Sequence, residues 1–275
     1  MNGKNLRISR IFDPVSGRAV IVPVDHGLMM GSVEGLSDPI DVLKKLLKCG
    51  VDATLMGPGV GKLTLDLFEG KDKPARILTV DFPMVSTIPG EYEGVLSHEP
   101  VATVEYALRW GFDMIKVLLP WGSDRDVLSK TIKLISEFVD ACDRWNMPLM
   151  IEPVLWGGKI LSEKMNDPKM VENSARIAVE LGADVIKLQY TGNKEQFSEI
   201  VKRLHVPILI LGGPKMESVR DILNIAKEAI SAGARGVVFG RNVWQNPNML
   251  NFLKALKEVV HESAKVDDVL KRYNL

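Results

Sequence analysis

The sequence predicts one (β/α)8 barrel, an α/β fold in which each of eight parallel strands is followed by a helix. Three observations carry this. Short apolar runs alternate with amphipathic stretches along 275 residues, and such alternation calls for parallel strands with helices packed on them. Eight such runs recur at intervals of roughly 20 to 40 residues, which is the barrel pattern. No Gly-x-Gly-x-x-Gly follows the first run, where the alternative, a doubly wound dinucleotide fold, would need it. No linker or shift in composition divides the chain. Residues 1–275 are read as one domain, with an N-terminal extension over 1–18 and a C-terminal tail over 261–275.

The elements follow in order. The stretch to Arg18 is polar, with a turn at Pro14 to Gly17. Ala19 to Val24 reads as a buried strand ending in Asp25-His26-Gly27, with a Met-Met-Gly-Ser loop after it. Asp38-Pro39 opens a helix with proline in its first turn, and Gly50 stops it. Asp52 to Met56 is a second strand, and Ile77 to Val80 a third. Asp81 to Glu99 is rich in Pro, Gly and Ser and reads as a long loop. A helix is expected over 100–110, and a fourth strand over Met114 to Leu119. A long helix to Trp145 precedes the fifth strand, Pro148 to Leu155. Asp167-Pro168 opens the helix before the sixth strand, which holds Lys187. Val206 to Leu211 and Gly236 to Phe239 complete the eight, and a last main helix covers 247–260.

Composition excludes several classes. Lys plus Arg and Asp plus Glu number 35 each, so no electrostatic footprint for nucleic acid or an anionic membrane is present. No apolar run approaches membrane-spanning length. The N-terminal residues lack the apolar core of a signal peptide. The two cysteines, Cys49 and Cys142, read as reduced and structural, which places the protein in the cytoplasm. The four histidines, His26, His98, His205 and His261, show no metal spacing. Neither a metal nor a cofactor is expected.

In a barrel, chemistry sits at the C-terminal ends of the strands. Asp25 and His26 end the first, while Lys116, Glu152 and Lys187 lie in the fourth, fifth and sixth. Alternation with period two puts Lys116 with Leu118, Glu152 with Val154, and Lys187 with Gln189. If those faces are interior, three charges from adjacent strands meet in one mouth, which favours an active site over a structural ion cluster. A lysine amine attacks ketones and aldehydes, Lys116 would hold down the pKa of Lys187, and Glu152 can shuttle protons. Asp25 can take the proton from a substrate hydroxyl. Charge alone does not choose between Lys187 and Lys116 as nucleophile. Gly212-Gly213 after the seventh strand and Gly240-Arg241 after the eighth suggest a phosphate seat. His26 and Tyr190 are candidate substrate contacts, each with packing as the competing role. The run Gly57 to Lys62 is one residue short of a nucleotide loop and has Leu63 where a hydroxyl belongs. It reads as a loop at the barrel mouth.

The motifs Asp25-His26-Gly27, Lys187-Leu-Gln-Tyr190-Thr-Gly192, Gly212-Gly213-Pro-Lys215 and Gly240-Arg241-Asn242-Val-Trp-Gln245 together resemble the archaeal-type class I fructose-bisphosphate aldolases. Their superfamily also holds deoxyribose-phosphate and tagatose-bisphosphate aldolases. The resemblance spans nearly the whole barrel. It implies Lys187 as the Schiff-base lysine, Asp25 as a catalytic carboxylate, the Gly213 and Arg241 turns as the phosphate site, and a homo-oligomer. One departure stands out. The archaeal enzymes carry Trp-x-Tyr on the fifth strand, and here the matching residues are Glu152-Pro-Val154. Lys116 and Glu152 instead resemble the tagatose-bisphosphate aldolase arrangement, with a glutamate as proton shuttle. The expected activity is a metal-independent Schiff-base aldolase acting on a phosphorylated ketose or related keto-sugar, with dihydroxyacetone phosphate as product. The alternatives are a lysine-dependent transaldolase-like synthase or acyl transferase of the same superfamily, and a non-catalytic sugar-phosphate-binding barrel.

Overall fold

The computed structural model describes residues 3–275; Met1 and Asn2, the start of the expected extension and of the stretch read for a signal peptide, lie outside it. The strands in chain order are β1 (Ala19–Pro23), β2 (Ala53–Met56), β3 (Ala75–Thr79), β4 (Asp81–Met84), β5 (Ser97–Pro100) and β6 (Met114–Trp121). They continue with β7 (Leu149–Leu155), β8 (Val185–Leu188), β9 (Ile208–Leu211) and β10 (Gly236–Val238). Eight of them close into a parallel barrel in the order β1-β10-β9-β8-β7-β6-β3-β2, and β4 and β5 form a separate antiparallel pair.

The barrel strands are buried on both faces, which is why they read as continuous apolar runs. Inward residues alternate with outward ones. Ala19, Ile21, Ala53, Leu55, Ala75, Ile77, Met114, Met150, Val185, Leu209 and Val238 fill the inside as one apolar cluster. Val20, Val22, Ile115, Val117, Ile151 and Ile186 face the other way, into the larger core shared with the helices. One step up the inward faces from Ile77, Met114, Met150 and Val185 lie Thr79, Lys116, Glu152 and Lys187. The polar layer therefore rests directly on the apolar filling.

The helices start where capping chemistry allows. The Asp38 side chain accepts from Ile40 N and Asp41 N ahead of the helix Pro39–Lys48. Asp167, Asn193 and Ser218 cap three later helices in the same manner. The long helix Arg125–Trp145 ends at Asn146, which adopts the left-handed conformation (φ 53°). At the mouth, the loops after β6 and β7 touch back to back. A Cβ on Gly157 would lie 1.8 Å from the carbonyl carbon of Gly122, so only glycine allows that approach.

Six segments differ from expectation. Residues 81–99 are a loop only over 85–96: the ends are strands, and β4 and β5 pair with Asp81 opposite Pro100 and Pro83 opposite His98. The helix expected over 100–110 is confined to Val104–Arg109, because 97–100 are strand and Thr103 caps the helix through Tyr106 N. Residues 58–63 form a helix rather than a mouth loop, with Pro58 in its first turn. Its internal Gly61 disfavours helix locally, yet a Cβ there would lie 2.5 Å from Phe112 Cζ, so packing fixes the residue. The Met-Met-Gly-Ser loop is preceded by a helical turn, His26–Met30, that takes in both methionines. The ends are also more than polar appendages. A helix spans Gly3–Ile8, and Ile11 and Phe12 join the apolar filling of the barrel. The tail carries a helix, Val266–Tyr273, that buries Val266, Val269 and Leu270.

Candidate active site

The inward positions of three adjacent strands define the site. Lys187 comes from β8, Glu152 from β7 and Lys116 from β6. Lys187 Nζ lies 2.7 Å from Glu152 Oε1, and Lys116 Nζ lies 2.9 Å from Glu152 Oε2. Each of the three side chains is no more than 9% exposed. One carboxylate thus bridges the two buried lysines and stands between them, instead of the lysines facing each other directly.

Asp25 approaches from the end of β1. Its Oδ2 accepts from Thr79 Oγ1 of β3 at 2.6 Å. His26 Nδ1 lies 3.5 Å from Asp25 Oδ1, and its ring meets Trp244 edge-on at 5.3 Å. A Cβ on Gly240 would fall 2.9 Å from His26 Cε1, so the bare glycine lets the β10 turn close onto the β1 turn. Trp244 Nε1 donates to Pro23 O at 3.1 Å and ties the two together.

The charges set one another's ionisation. Burial pushes the Asp25 carboxyl up, but His26, Lys116 and Lys187 more than offset it and hold it far below the usual carboxylate range. Burial likewise raises Glu152, and Lys116 and then Lys187 bring it below its ordinary value. Burial alone would lower Lys116. The facing carboxylates of Glu152, Asp81 and Asp25 reverse that and hold it above the usual lysine range. Lys116 is therefore a standing ammonium at neutral pH. A neutral amine is the nucleophilic form, so Lys116 is poorly suited to attack.

Across the mouth, Asn242 Nδ2 donates to Gly212 O (2.8 Å) and Pro214 O (3.2 Å), and Met216 N donates to Asn242 Oδ1 (2.8 Å). Asn242 thereby staples the loop after β9 to the turn after β10. Gly213 has φ 62° with open space around its Cα. Arg241 is half-buried, and its Nε has no hydrogen-bond partner among the described residues. A guanidinium so placed suits an incoming anion.

Residues 19–246 match the DeoC/LacD family aldolases. The chain belongs to that family. It is 33% identical to an uncharacterized aldolase of Saccharolobus solfataricus, with 98% of this chain and 99% of that one covered. It is 30% identical to the class 1 fructose-bisphosphate aldolase of Thermoproteus tenax, over 92% and 94%. A solved archaeal fructose-1,6-bisphosphate aldolase whose catalytic lysine is covalently bound to the carbinolamine intermediate superposes with a TM-score of 0.80 at 28% identity. That match covers 94% of this chain and all of the other. This protein is a class I aldolase, a carbon–carbon lyase of the Schiff-base kind.

The aldolase fold brings together most residues singled out from the sequence. Lys187, Glu152, Lys116 and Asp25 share one set of mutually acting charges, and His26 borders them. Gln189 stands one inward position above Lys187, with its amide donating to Tyr190 O at 3.3 Å. Gly212, Gly213, Gly240 and Arg241 sit in the two neighbouring turns that Asn242 joins. Tyr190 goes elsewhere. Its hydroxyl donates to Glu228 Oε2 at 2.9 Å and its ring packs edge-on against Phe197, in the outer core and not in the mouth. Thr79, Asp81, His98 and Asn242 were not singled out as site residues. The signal for Thr79 was available, since it follows Ala75 and Ile77 on the inward face of β3.

Proposed function

We propose that Lys187 is the Schiff-base nucleophile of an aldolase for a phosphorylated ketose or related keto-sugar, releasing dihydroxyacetone phosphate. The supporting observation is the Glu152 bridge at 2.7 and 2.9 Å from the two lysines. Glu152 takes a proton from the Lys187 ammonium and frees the amine to attack the ketone carbonyl. After proton transfer from nitrogen to oxygen within the adduct, Glu152 returns its proton to the carbinolamine hydroxyl. Water leaves, and the iminium forms with Glu152 again ionised. Asp25, held as a carboxylate, accepts the proton of the hydroxyl on the carbon β to the iminium. The carbon–carbon bond then breaks, its electron pair neutralises the iminium as an enamine, and an aldehyde departs. Protonation of the enamine carbon and attack by water reverse the first steps and release the ketone. Val154 takes the place of the tyrosine of Trp-x-Tyr, which leaves Glu152 as the group within reach of Lys187 for this proton traffic. Gly212, Gly213, Gly240 and Arg241 hold the phosphate.

Borohydride reduction with dihydroxyacetone phosphate, followed by peptide mass spectrometry, tests this reading. An adduct on Lys187 is expected. An adduct on Lys116 would reverse the two lysines. A blank result with this ketone and with a panel of other carbonyl compounds would overturn the assignment. A transaldolase-like synthase is the second reading, supported by a Streptomyces griseus relative, 29% identical, named as a 2-amino-4,5-dihydroxy-6-oxo-7-(phosphonooxy)heptanoate synthase. It requires a second carbonyl acceptor for turnover.

The cytoplasm is the proposed location. Both cysteines are free, and no described helix is long and apolar enough to cross a membrane. A homo-oligomer is proposed as well, supported by the exposed apolar side chains of Leu63, Leu65 and Trp145. Light scattering at micromolar concentration distinguishes it from a monomer.

A further inference from the structure

Asp81 is a charge that the mechanism above does not use. It is completely buried at the start of β4, where the chain leaves the barrel wall. Val80 N still donates to Lys116 O at 3.1 Å. Further up β6, Leu118 N is met by the Asp81 side chain, with Oδ2 accepting at 2.7 Å. The same oxygen accepts from His98 Nε2 at 2.7 Å, and His98 Nδ1 lies 2.9 Å from Thr131 Oγ1. Both Asp81 and His98 side chains are 0% exposed.

Closing the seam between β3 and β6 requires an acceptor, not a charge. Asparagine would serve Leu118 and His98 equally well. The second oxygen, Oδ1, is buried with no hydrogen-bond partner among the described residues. Thr79, two residues before Asp81, stands opposite Lys116 in the β3–β6 register, and, against burial, the Lys116 ammonium is the charge that draws the Asp81 carboxyl down. Lys116 faces Glu152 from β7, Asp25 from the end of β1, and Asp81 from β4. His98 of β5 stands behind Asp81, His26 beside Asp25, and Lys187 across Glu152.

The proposed chemistry changes this balance during the cycle. Each time Glu152 takes a proton from Lys187, Lys116 loses the charge it is paired with. A buried ammonium left without a counter-charge is strongly disfavoured. We propose that Asp81 is a positioning residue: it keeps Lys116 charged while Glu152 carries the proton, and the His98–Thr131 pair keeps Asp81 ionised and aimed. This inference rests on the assignment of Glu152 and Lys187 above. It gives the hairpin β4–β5 a part in the reaction at one remove, because it supplies both Asp81 and His98.

Asp81→Asn tests it by keeping an oxygen for Leu118 and His98 while removing the charge. The readouts are the pH dependence of adduct formation on Lys187, trapped by borohydride with dihydroxyacetone phosphate, and the kcat and KM of turnover. The alkaline limb is expected to move down by about one pH unit or more. An effect on kcat of about tenfold is expected, with KM changed by less than about threefold. A purely structural Asp81 would lower activity evenly across pH, and an unmoved limb overturns the proposal. If wild type gives no Lys187 adduct, the parent assignment falls and this one with it. A Lys187 adduct with an unmoved limb removes this inference alone. Should the Asn variant not fold, His98→Leu leaves Asp81 in place and strips one of its two donors. The acid limb is then expected to rise, and an acid limb identical to wild type overturns the role of the pair.

Discussion

Glu152→Gln reports on stability and chemistry together. The wild-type carboxylate lies 2.7 and 2.9 Å from the two lysine Nζ atoms, with all three side chains almost fully buried. At an effective dielectric of about 20, unit charges some 4 Å apart interact by about 4 kcal/mol. Removing one member of a buried pair costs about 3–5 kcal/mol, because the partner's charge is left uncompensated. Here two partners lose the same carboxylate, so the upper half of that range is expected at pH 7. At about 2–4 °C per kcal/mol for a chain near this size, the melting temperature falls by roughly 8–20 °C. The variant relieves its strain by letting one lysine lose its proton, so that lysine's folded pKa drops below its unfolded value. Its unfolded state then binds more protons than its folded state, and stability rises with pH. The deficit against wild type should therefore shrink between pH 7 and pH 9. Thermal unfolding at both values measures this, and single-turnover trapping on Lys187 should slow by about 100-fold or more. An unchanged melting temperature at pH 7, or a deficit that grows toward pH 9, would refute the bridge as the organising interaction.

Asp25→Asn should abolish cleavage while Lys187 can still be trapped, as seen by reductive labelling beside a turnover assay. The wild-type Asp25 carboxyl lies below its unfolded value, so its stabilisation is present above about pH 4 and is lost as pH falls. The variant should lose less unfolding free energy than wild type between pH 5 and pH 2, as followed by urea titration. Arg241→Ala should raise KM for dihydroxyacetone phosphate by about tenfold or more, the usual worth of a charge-assisted contact. The same variant should leave KM for unphosphorylated dihydroxyacetone nearly unchanged. Phe12→Ala should cost about 3–5 kcal/mol in a chemical-denaturation measurement, as expected for a buried aromatic replaced by alanine.

The charged layer was legible because lysines and a glutamate interrupt apolar strands on one parity, and parity fixes which face they share. The same rule sets Tyr190 against Lys187 and Gln189, since it is one residue off their face. Its site assignment came from the nearby motif, and the chain beyond β8 carries it to Glu228 and Phe197 instead. Asp81 and His98 were hidden for a different reason. Their hairpin is short and has a Pro- and Gly-rich tip, and its pairing is fixed by what it packs on more than by periodicity. Gly61 hid a helix in the same fashion, because contact with Phe112 selects a residue that disfavours helix locally. Ile11 and Phe12 lie in a short stretch broken by Pro14 and Gly17, beside the exposed Leu6 and Val15, yet they join the apolar filling of the barrel.

The closed strand order has a consequence for how the working enzyme comes into being during synthesis. Lys116, Glu152 and Lys187 belong to β6, β7 and β8, consecutive strands that neighbour one another in the sheet. They can be juxtaposed as soon as that stretch has left the ribosome. Asp25 and Arg241 lie near opposite ends of the chain and meet only when β1 pairs with β10, Ala19 against Gly236. Contacts so far apart in sequence form late. A nascent chain would then hold Lys187 beside the Glu152 carboxylate before the turn that carries Arg241 has closed onto the end of β1. The final strand to emerge, rather than the lysine, marks the moment at which the barrel mouth is complete.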